Sequence, residues 1–131
     1  MRCSSWVVYL PHEKDPEQEQ EEKALITDEQ VEAALDYLRD SAKPAAVARS
    51  QAKTLEKYAS VVEAEQKSFH AGKSNNAAQD LARASPEYKT ALDAWQEAVR
   101  RDCEFTMLRE AAEARIQAWQ TFSANNRREI R

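Results

Sequence analysis

Apolar side chains recur at every third or fourth position along two segments of about 45 residues, and this spacing restricts the fold more than any other feature. The first segment carries Val31, Ala34, Leu35, Leu38, Ala42, Ala48, Ala52, Leu55, Ala59, Val62 and Phe69. The second carries Tyr88, Leu92, Trp95, Val99, Phe105, Leu108, Ala112, Ile116 and Trp119, with Asp102 in the same line. Such spacing places side chains on one face of a helix, so the sequence predicts two long amphipathic helices.

The composition favours the same fold. Ala, Glu, Gln, Lys, Arg and Leu dominate the chain, and these residues lose little entropy in a helix. One glycine, Gly72, cannot supply the turns that a sheet of many strands needs. The apolar line from Tyr88 to Trp119 advances by about 3.4 residues per step, close to the 3.5-residue repeat of a left-handed supercoil. We therefore expect an all-α, coiled-coil-like fold.

Local signals predict where the two helices begin and end. Thr27 stands three residues before Gln30, the spacing of a capping box, and Ser85-Pro86 resembles an N-cap followed by a first-turn proline. Gly72 suits a left-handed C-cap. These signals define arms of about residues 27–71 and 86–128, joined by a connector that carries a short helical turn around residues 77–82.

Pro44 lies inside the first arm. A proline within a helix removes one backbone hydrogen bond and its ring clashes with the preceding turn. We therefore expect the first arm to be kinked, or briefly broken, near Pro44.

Arms of equal length, each roughly 65 Å long, favour antiparallel pairing into a long helical hairpin. The expected neighbours are Leu35 and Leu38 with Ile116 and Trp119 at one end, and Val62 and Phe69 with Tyr88 and Leu92 at the other. Two helices alone cover only one stripe each. The apolar surface expected to remain for a homodimer or four-helix bundle includes Trp95, Phe105, Trp119 and Phe122.

Residues 1–25 differ from the hairpin domain expected over residues 26–131. Residues 1–26 contain six acids against three bases, which leaves the rest of a chain of net charge −4 near −1. Pro16 interrupts this acidic, glutamine-rich stretch, for which we expect a flexible tail. The apolar run Trp6–Leu10 fits either a short strand or a docking segment.

The cysteines and histidines predict no metal or cofactor site. Cys3 and Cys103 are expected to be reduced, with Cys103 a small core residue, and neither His12 nor His70 stands at metal-ligand spacing from them. The longest apolar run, Trp6–Leu10, is too short to span a membrane. We expect a cytoplasmic protein.

No combination of residues predicts catalysis. Phosphate-binding loops need several glycines, and His70 near a helix end fits a dipole-stabilised side chain better than a base. The carboxylate pairs Glu29–Glu32 and Glu110–Glu113 have facing spacing, but solvated helix faces explain them. We therefore expect a protein that is not an enzyme.

Nucleic-acid binding has a modest basis. Arg49, Lys53 and Lys57 recur every four residues and form one basic stripe, while Arg127 and Arg128 make the far end of the second arm basic. A solvated helix face is the competing interpretation for the same residues.

Residues 26–40, 85–99 and 109–126 carry the caps and apolar positions described above. Over these segments the chain resembles small uncharacterised helical proteins of tailed bacteriophages and prophages. The resemblance implies a helical hairpin, a phage origin and a place in the bacterial host cytoplasm. It is also compatible with a place among phage genes for DNA recombination or replication. The stretch before Ile26 and the proline at position 44 depart from that family.

Two functions follow from these observations. The leading hypothesis is a non-enzymatic interaction module that presents a helical surface to a second copy of itself or to a host or phage protein. The alternative is an accessory nucleic-acid-binding protein in phage DNA recombination or replication.

Overall fold

The computed structural model describes residues 16–17 and 26–129, and it contains three principal helices. Helix α1 spans Asp28–Ser68, α2 spans Asn75–Ala84 and α3 spans Pro86–Glu129. No strand occurs in these ranges, which confirms the all-α prediction. Except for Pro16 and Glu17, both helical and exposed, the predicted tail lies outside the described residues, as does Trp6–Leu10.

Both predicted helix starts are confirmed. The Thr27 hydroxyl accepts from the Gln30 N–H at 3.2 Å, and the Gln30 side-chain oxygen accepts from the Thr27 N–H at 3.3 Å. At α3 the Ser85 hydroxyl accepts from the Tyr88 N–H at 3.2 Å, directly before Pro86. These side chains satisfy amide groups that have no partner within a helix, so each start is determined locally.

The predicted end of the first arm is wrong. Helix α1 stops at Ser68 with Phe69 as its cap, and none of the described residues has a positive φ, so Gly72 is not a left-handed cap. Right-handed turns continue instead, with the His70 N–H donating to the Lys67 carbonyl at 3.0 Å and the Lys73 N–H to the His70 carbonyl at 3.0 Å. Gly72 is therefore not needed for its conformational freedom.

Helix α1 passes through Pro44 without interruption, so the predicted break there is wrong. Pro44 is exposed, and so is Asp40, whose carbonyl would have accepted from an N–H at position 44. Water can satisfy that carbonyl, which lowers the cost of a proline inside the helix. A smaller bend at Pro44 stays a prediction.

The connector contains more helix than predicted. The expected turn around residues 77–82 is a ten-residue helix, α2, which begins where the Ser74 hydroxyl accepts from the Ala77 N–H at 3.4 Å. Ala78 and Ala82 are its buried residues.

Helices α1 and α3 pack against each other in antiparallel orientation. The Trp119 indole N–H donates to Asp28 at 2.9 Å, and Arg109 donates to the Leu38 carbonyl at 2.7 Å. Farther along α1, a buried cluster unites Ala59 and Val62 with Ala91 and half-buried Tyr88. The predicted pairing is thus shifted at one end, since Leu38 lies beside Arg109 and Trp119 lies beside Asp28.

Alanine lines most of the interface between the long helices. The buried apolar residues are Val31, Ala34, Ala48, Ala52, Ala59 and Val62 on α1, Ala78 and Ala82 on α2, and Ala91, Ala98 and Ala112 on α3. Four larger residues predicted to lie in the core are instead exposed: Leu35, Phe69, Val99 and Leu108. Small side chains let two helix axes approach closely, and the larger side chains then lie at the margins.

Candidate functional site

An open groove of about 740 Å³ runs between α1 and α3. Three small residues of α1, Ala42, Ala45 and Ala46, line it. Because these side chains end at Cβ, they leave space that no other described side chain fills. The groove is open along one side.

The wall that α1 contributes is basic. The structure brings Arg49, Lys53 and Lys57, the predicted basic stripe, into this one groove together with the hydroxyl side chains of Ser50 and Thr54. All three basic residues are exposed. The prediction that they share one face is confirmed, while their role in binding stays a prediction.

The wall that α3 contributes is largely acidic. It contains the three acids Asp102, Glu110 and Glu113 beside Thr106 and one base, Arg109. Arg49 crosses to this wall, where its guanidinium donates to the Asp102 carboxylate at 3.3 Å and to the Thr106 hydroxyl at 3.1 Å. The groove therefore has charges of opposite sign on its two sides, joined at one point by an ion pair.

Arg109 forms a polar contact inside the alanine-lined interface. Its guanidinium donates to the Leu38 carbonyl at 2.7 Å and to the Ser41 hydroxyl at 2.8 Å. Ser41 is the only buried polar residue among those described. Neither residue was singled out from the sequence, although an arginine on the apolar side of a helix is a detectable signal.

A second polar cluster joins α2 to α1. The Glu63 carboxylate accepts from the Gln79 amide at 3.0 Å and from the Arg83 guanidinium at 3.2 Å. The Gln79 hydrogen bond, followed by the contact with Arg83, lowers the pKa of Glu63 below its ordinary value. The carboxylate form therefore stabilises the attachment of α2.

The two basic regions predicted from the sequence do not meet. Arg127 and Arg128 are exposed in the last turn of α3, about 25 residues beyond Asp102. The groove reaches Glu113, fourteen residues before Arg127, so at 1.5 Å per residue roughly 21 Å of helix separates them from the groove. No single ligand-sized site contains both sets.

The aromatic residues predicted to form a self-association surface are all half-buried. They are Trp95, Phe105, Trp119 and Phe122. Their role in self-association stays a prediction.

A different apolar surface is more exposed, with Val47, Tyr58 and Val61 on one side of α1. We call these three residues the Tyr58 face. Tyr58 follows Val47 by eleven residues and precedes Val61 by three, and both spacings place side chains on one face of a helix. This face was not predicted from the sequence, because the apolar line through Ala48, Ala52 and Ala59 is more regular.

Cys103 is a free, exposed thiol, so its predicted place in the core is wrong. It lies one position past Asp102, and that rotation about α3 turns it away from α1.

Among the described residues, no group of three or more His, Cys, Asp or Glu side chains is arranged to hold a metal ion. Within the same ranges, no helix has the combined length and apolar content needed to cross a membrane.

No protein-family model, curated protein or solved structure matches this chain. The resemblance to phage proteins consequently stays a prediction.

Proposed function

We propose that this protein is a non-enzymatic interaction module that presents a helical surface to another protein. One observation carries the proposal: many large apolar side chains remain exposed beside the helix interface. None of the described large side chains is fully buried, whereas nine large apolar side chains are 38–76% exposed. Soluble monomers seldom expose such residues in contiguous groups, and interaction surfaces do.

The Tyr58 face is the first candidate for this surface. Val47, Tyr58 and Val61 are each more than half exposed and share one side of α1. They lie on the opposite edge of the helix interface from Arg49 and Lys53, so a partner bound there would leave the groove open. Tyrosine is enriched at protein interfaces because its ring adds apolar area and its hydroxyl adds a hydrogen bond.

The proposal includes an assembly and an origin. We infer a coiled-coil-like hairpin for α1 and α3, supported by buried positions that repeat every seven residues, as in Ala52 and Ala59 or Ala91 and Ala98. A homodimer is the simplest assembly that covers the Tyr58 face. The resemblance adds a phage or prophage origin and a host or phage protein as the other partner, in the bacterial host cytoplasm.

A photo-crosslinking amino acid at position 58 tests the proposal. We expect adducts with a second copy or with another protein in cells that carry the gene, and none from the same group at position 120, an exposed polar site on α3. Introducing Val47→Lys with Val61→Lys should remove the adducts while the circular dichroism stays helical. A chain that remains monomeric at micromolar concentration and gives only intrachain crosslinks at position 58 would refute the proposal.

Accessory nucleic-acid binding is the second candidate, favoured by the position of Arg49, Lys53 and Lys57 along one wall. Asp102 already engages Arg49, and acidic side chains oppose the wall, which weakens attraction for a polyanion. If the function is correct, Lys53→Glu with Lys57→Glu should reduce retention of a fluorescent oligonucleotide and flatten its salt dependence. Absence of retention by the wild-type protein at low salt would exclude this function.

A further inference from the structure

Helix α2 shows how a helix packs beside the α1–α3 pair. It buries Ala78 and Ala82, which are four residues apart and therefore share one face of the helix. Beside this small-residue face, Gln79 and Arg83 bind Glu63 of α1. A helix with small residues facing inward and complementary polar groups at its edge thus fits against this pair.

The groove continues along the same edge of α1. Glu63, which holds α2, and Arg49, which lines the groove, are separated by fourteen residues, which is two seven-residue repeats. Residues at such spacing occupy the same position on a supercoiled helix. The groove is therefore the open continuation, roughly 21 Å farther along α1, of the edge against which α2 packs.

The dimensions of the groove suit a helix. From Ala42 to Lys57 the groove extends along sixteen residues of α1, and the fifteen steps between them span roughly 22 Å. Half of a cylinder 10 Å wide and 22 Å long occupies about 860 Å³. The groove volume of about 740 Å³ is of the same order, so the groove has the length and size to accept one side of a helix whose inward side chains are small.

The charges of the groove restrict the occupant further. Lys53 and Lys57 line one side, and Glu110 and Glu113 line the other. A helix with acidic residues along one edge and basic residues along the other complements both walls. A polyanion would complement only the α1 wall and be repelled by the α3 wall.

We propose that the groove binds an α-helix of a partner protein whose inward face carries small residues and whose two edges carry charges of opposite sign. The inference rests on the proposed role as an interaction module, and it assigns that role a second surface, on the other edge of the interface from the Tyr58 face. Helix α2 occupies the equivalent position at one end, and the partner helix occupies the open part.

The probe for this inference is a fluorescein-labelled synthetic helix of about fifteen residues with inward alanines, glutamates along one edge and lysines along the other. The control peptide has the same composition but mixes glutamate and lysine on both edges. A simple exchange of the two edges is not a control, because the helix could then bind in the reverse direction. We expect saturable binding of the probe to the full chain by fluorescence anisotropy, with the mixed control about tenfold weaker.

Variants of the groove give the decisive comparison. Lys53→Glu with Lys57→Glu makes both walls acidic and should weaken probe binding about tenfold. Adding Glu110→Lys and Glu113→Lys restores opposite signs with the sides exchanged, so the probe should bind again in the reverse direction. All four residues are exposed, so the changes leave the helix interface intact. Ala46→Trp should fill the groove and abolish binding without loss of helix, because Ala46 is exposed.

Several outcomes would overturn the inference. These are equal affinity for the two peptides, no recovery in the fourfold variant, binding that survives Ala46→Trp, or no saturable binding. Self-association lost in Ala46→Trp would assign the groove to a second copy, and oligonucleotide binding that depends on Lys53 and Lys57 would assign it to nucleic acid.

Crosslinks from position 58 are independent of the groove, so adducts there with no peptide binding refute this inference alone. Peptide binding without such adducts refutes the role of the Tyr58 face.

Discussion

Two stretches of the α1–α3 pair differ in what lies beside them. In the covered end, around Glu63, α2 packs against the pair, buries Ala78 and Ala82 and supplies two hydrogen bonds to the Glu63 carboxylate. In the open stretch, around Arg49, no described helix covers the same edge, and the basic side chains there remain exposed. At the covered end, the added helix supplies both small residues that face the pair and polar side chains that bind Glu63. The difference indicates that both features together hold a further helix against the pair.

The stability of the two stretches also has different sources. The covered end contains the apolar cluster of Ala59, Val62 and Ala91. The open stretch contains a polar bridge from Arg109 to Ser41 at the interface. Substitutions that remove only hydrogen bonds, or change only side-chain volume, therefore test whether the two stretches are stabilised in these different ways.

The largest effect is expected for Arg109→Ala in the open stretch. The change removes hydrogen bonds to the Leu38 carbonyl and the Ser41 hydroxyl, and should lower the free energy of unfolding by about 2–3 kcal/mol. Urea denaturation followed by circular dichroism measures this loss. Arg115→Ala, at an exposed site on the same helix, should change stability by less than about 0.5 kcal/mol. Equal losses in the two variants would show that the bridge contributes nothing specific.

The same substitution at two alanines compares the stretches directly. Ala82 of α2 is completely buried where α2 packs against the long helices, so Ala82→Leu should overpack the covered end and cost about 2 kcal/mol. Ala46 lines the open groove and is exposed, so Ala46→Leu should change the free energy of unfolding by less than about 0.5 kcal/mol. Thermal or urea melts of both variants provide the measurement. A large cost at Ala46 would mean that the groove is closed in solution.

Thr27→Ala should have a smaller effect, at the start of α1. Loss of the capping box should cost about 1 kcal/mol and increase amide exchange in the first turn, from residue 28 to residue 31. Thr27→Ser keeps the accepting hydroxyl and serves as the control. Unchanged exchange in the alanine variant would show that the cap contributes little.

The smallest effect concerns pH at the covered end. Because the pKa of Glu63 is lowered below the ordinary value of 4.5, its contribution is present at neutral pH and is lost as the pH falls through the lowered value. Amide exchange in α2 should therefore accelerate in acid relative to neutral solution, by an amount equivalent to less than about 1 kcal/mol.

Glu63→Gln should reduce this acid sensitivity of α2. Glu32→Gln, at an exposed site far along α1, should leave it unchanged. Equal acid sensitivity of α2 in the wild type and in Glu63→Gln would contradict the assignment.

Helix positions were more accessible to sequence reasoning than the interface. Thr27 and Ser85 act on amides three residues away, so their capping depends on local sequence alone. On α3, two sets of apolar positions have nearly the same helical spacing, and either set could face α1. Sequence reasoning favoured the bulkier stripe through Val99 and Leu108, whereas the structure buries Ala91 and Ala98. Which stripe lies inside depends on how closely the two axes approach, a tertiary property.

The candidate site was only half predictable. The four-residue spacing of Arg49, Lys53 and Lys57 establishes a shared face without further information. The acidic wall was not predictable, since it requires the pairing of α1 with α3 that brings Asp102 within 3.3 Å of Arg49. The Pro44 prediction failed for a related reason, because exposure of the residue determines the cost of its missing hydrogen bond.

The contact between Arg109 and Ser41 has a consequence for alignment. Alanines that recur every seven residues meet similar small side chains when one helix slides by one repeat, so the alanine contacts alone discriminate weakly between alignments. After such a slide Arg109 would face Ala34 or Ala48, and neither offers a hydroxyl. The contact between the arginine and the serine, together with those from Arg49 to Asp102 and from Trp119 to Asp28, thus favours one alignment of the two helices. That alignment sets the position of every surface residue on one helix relative to the other.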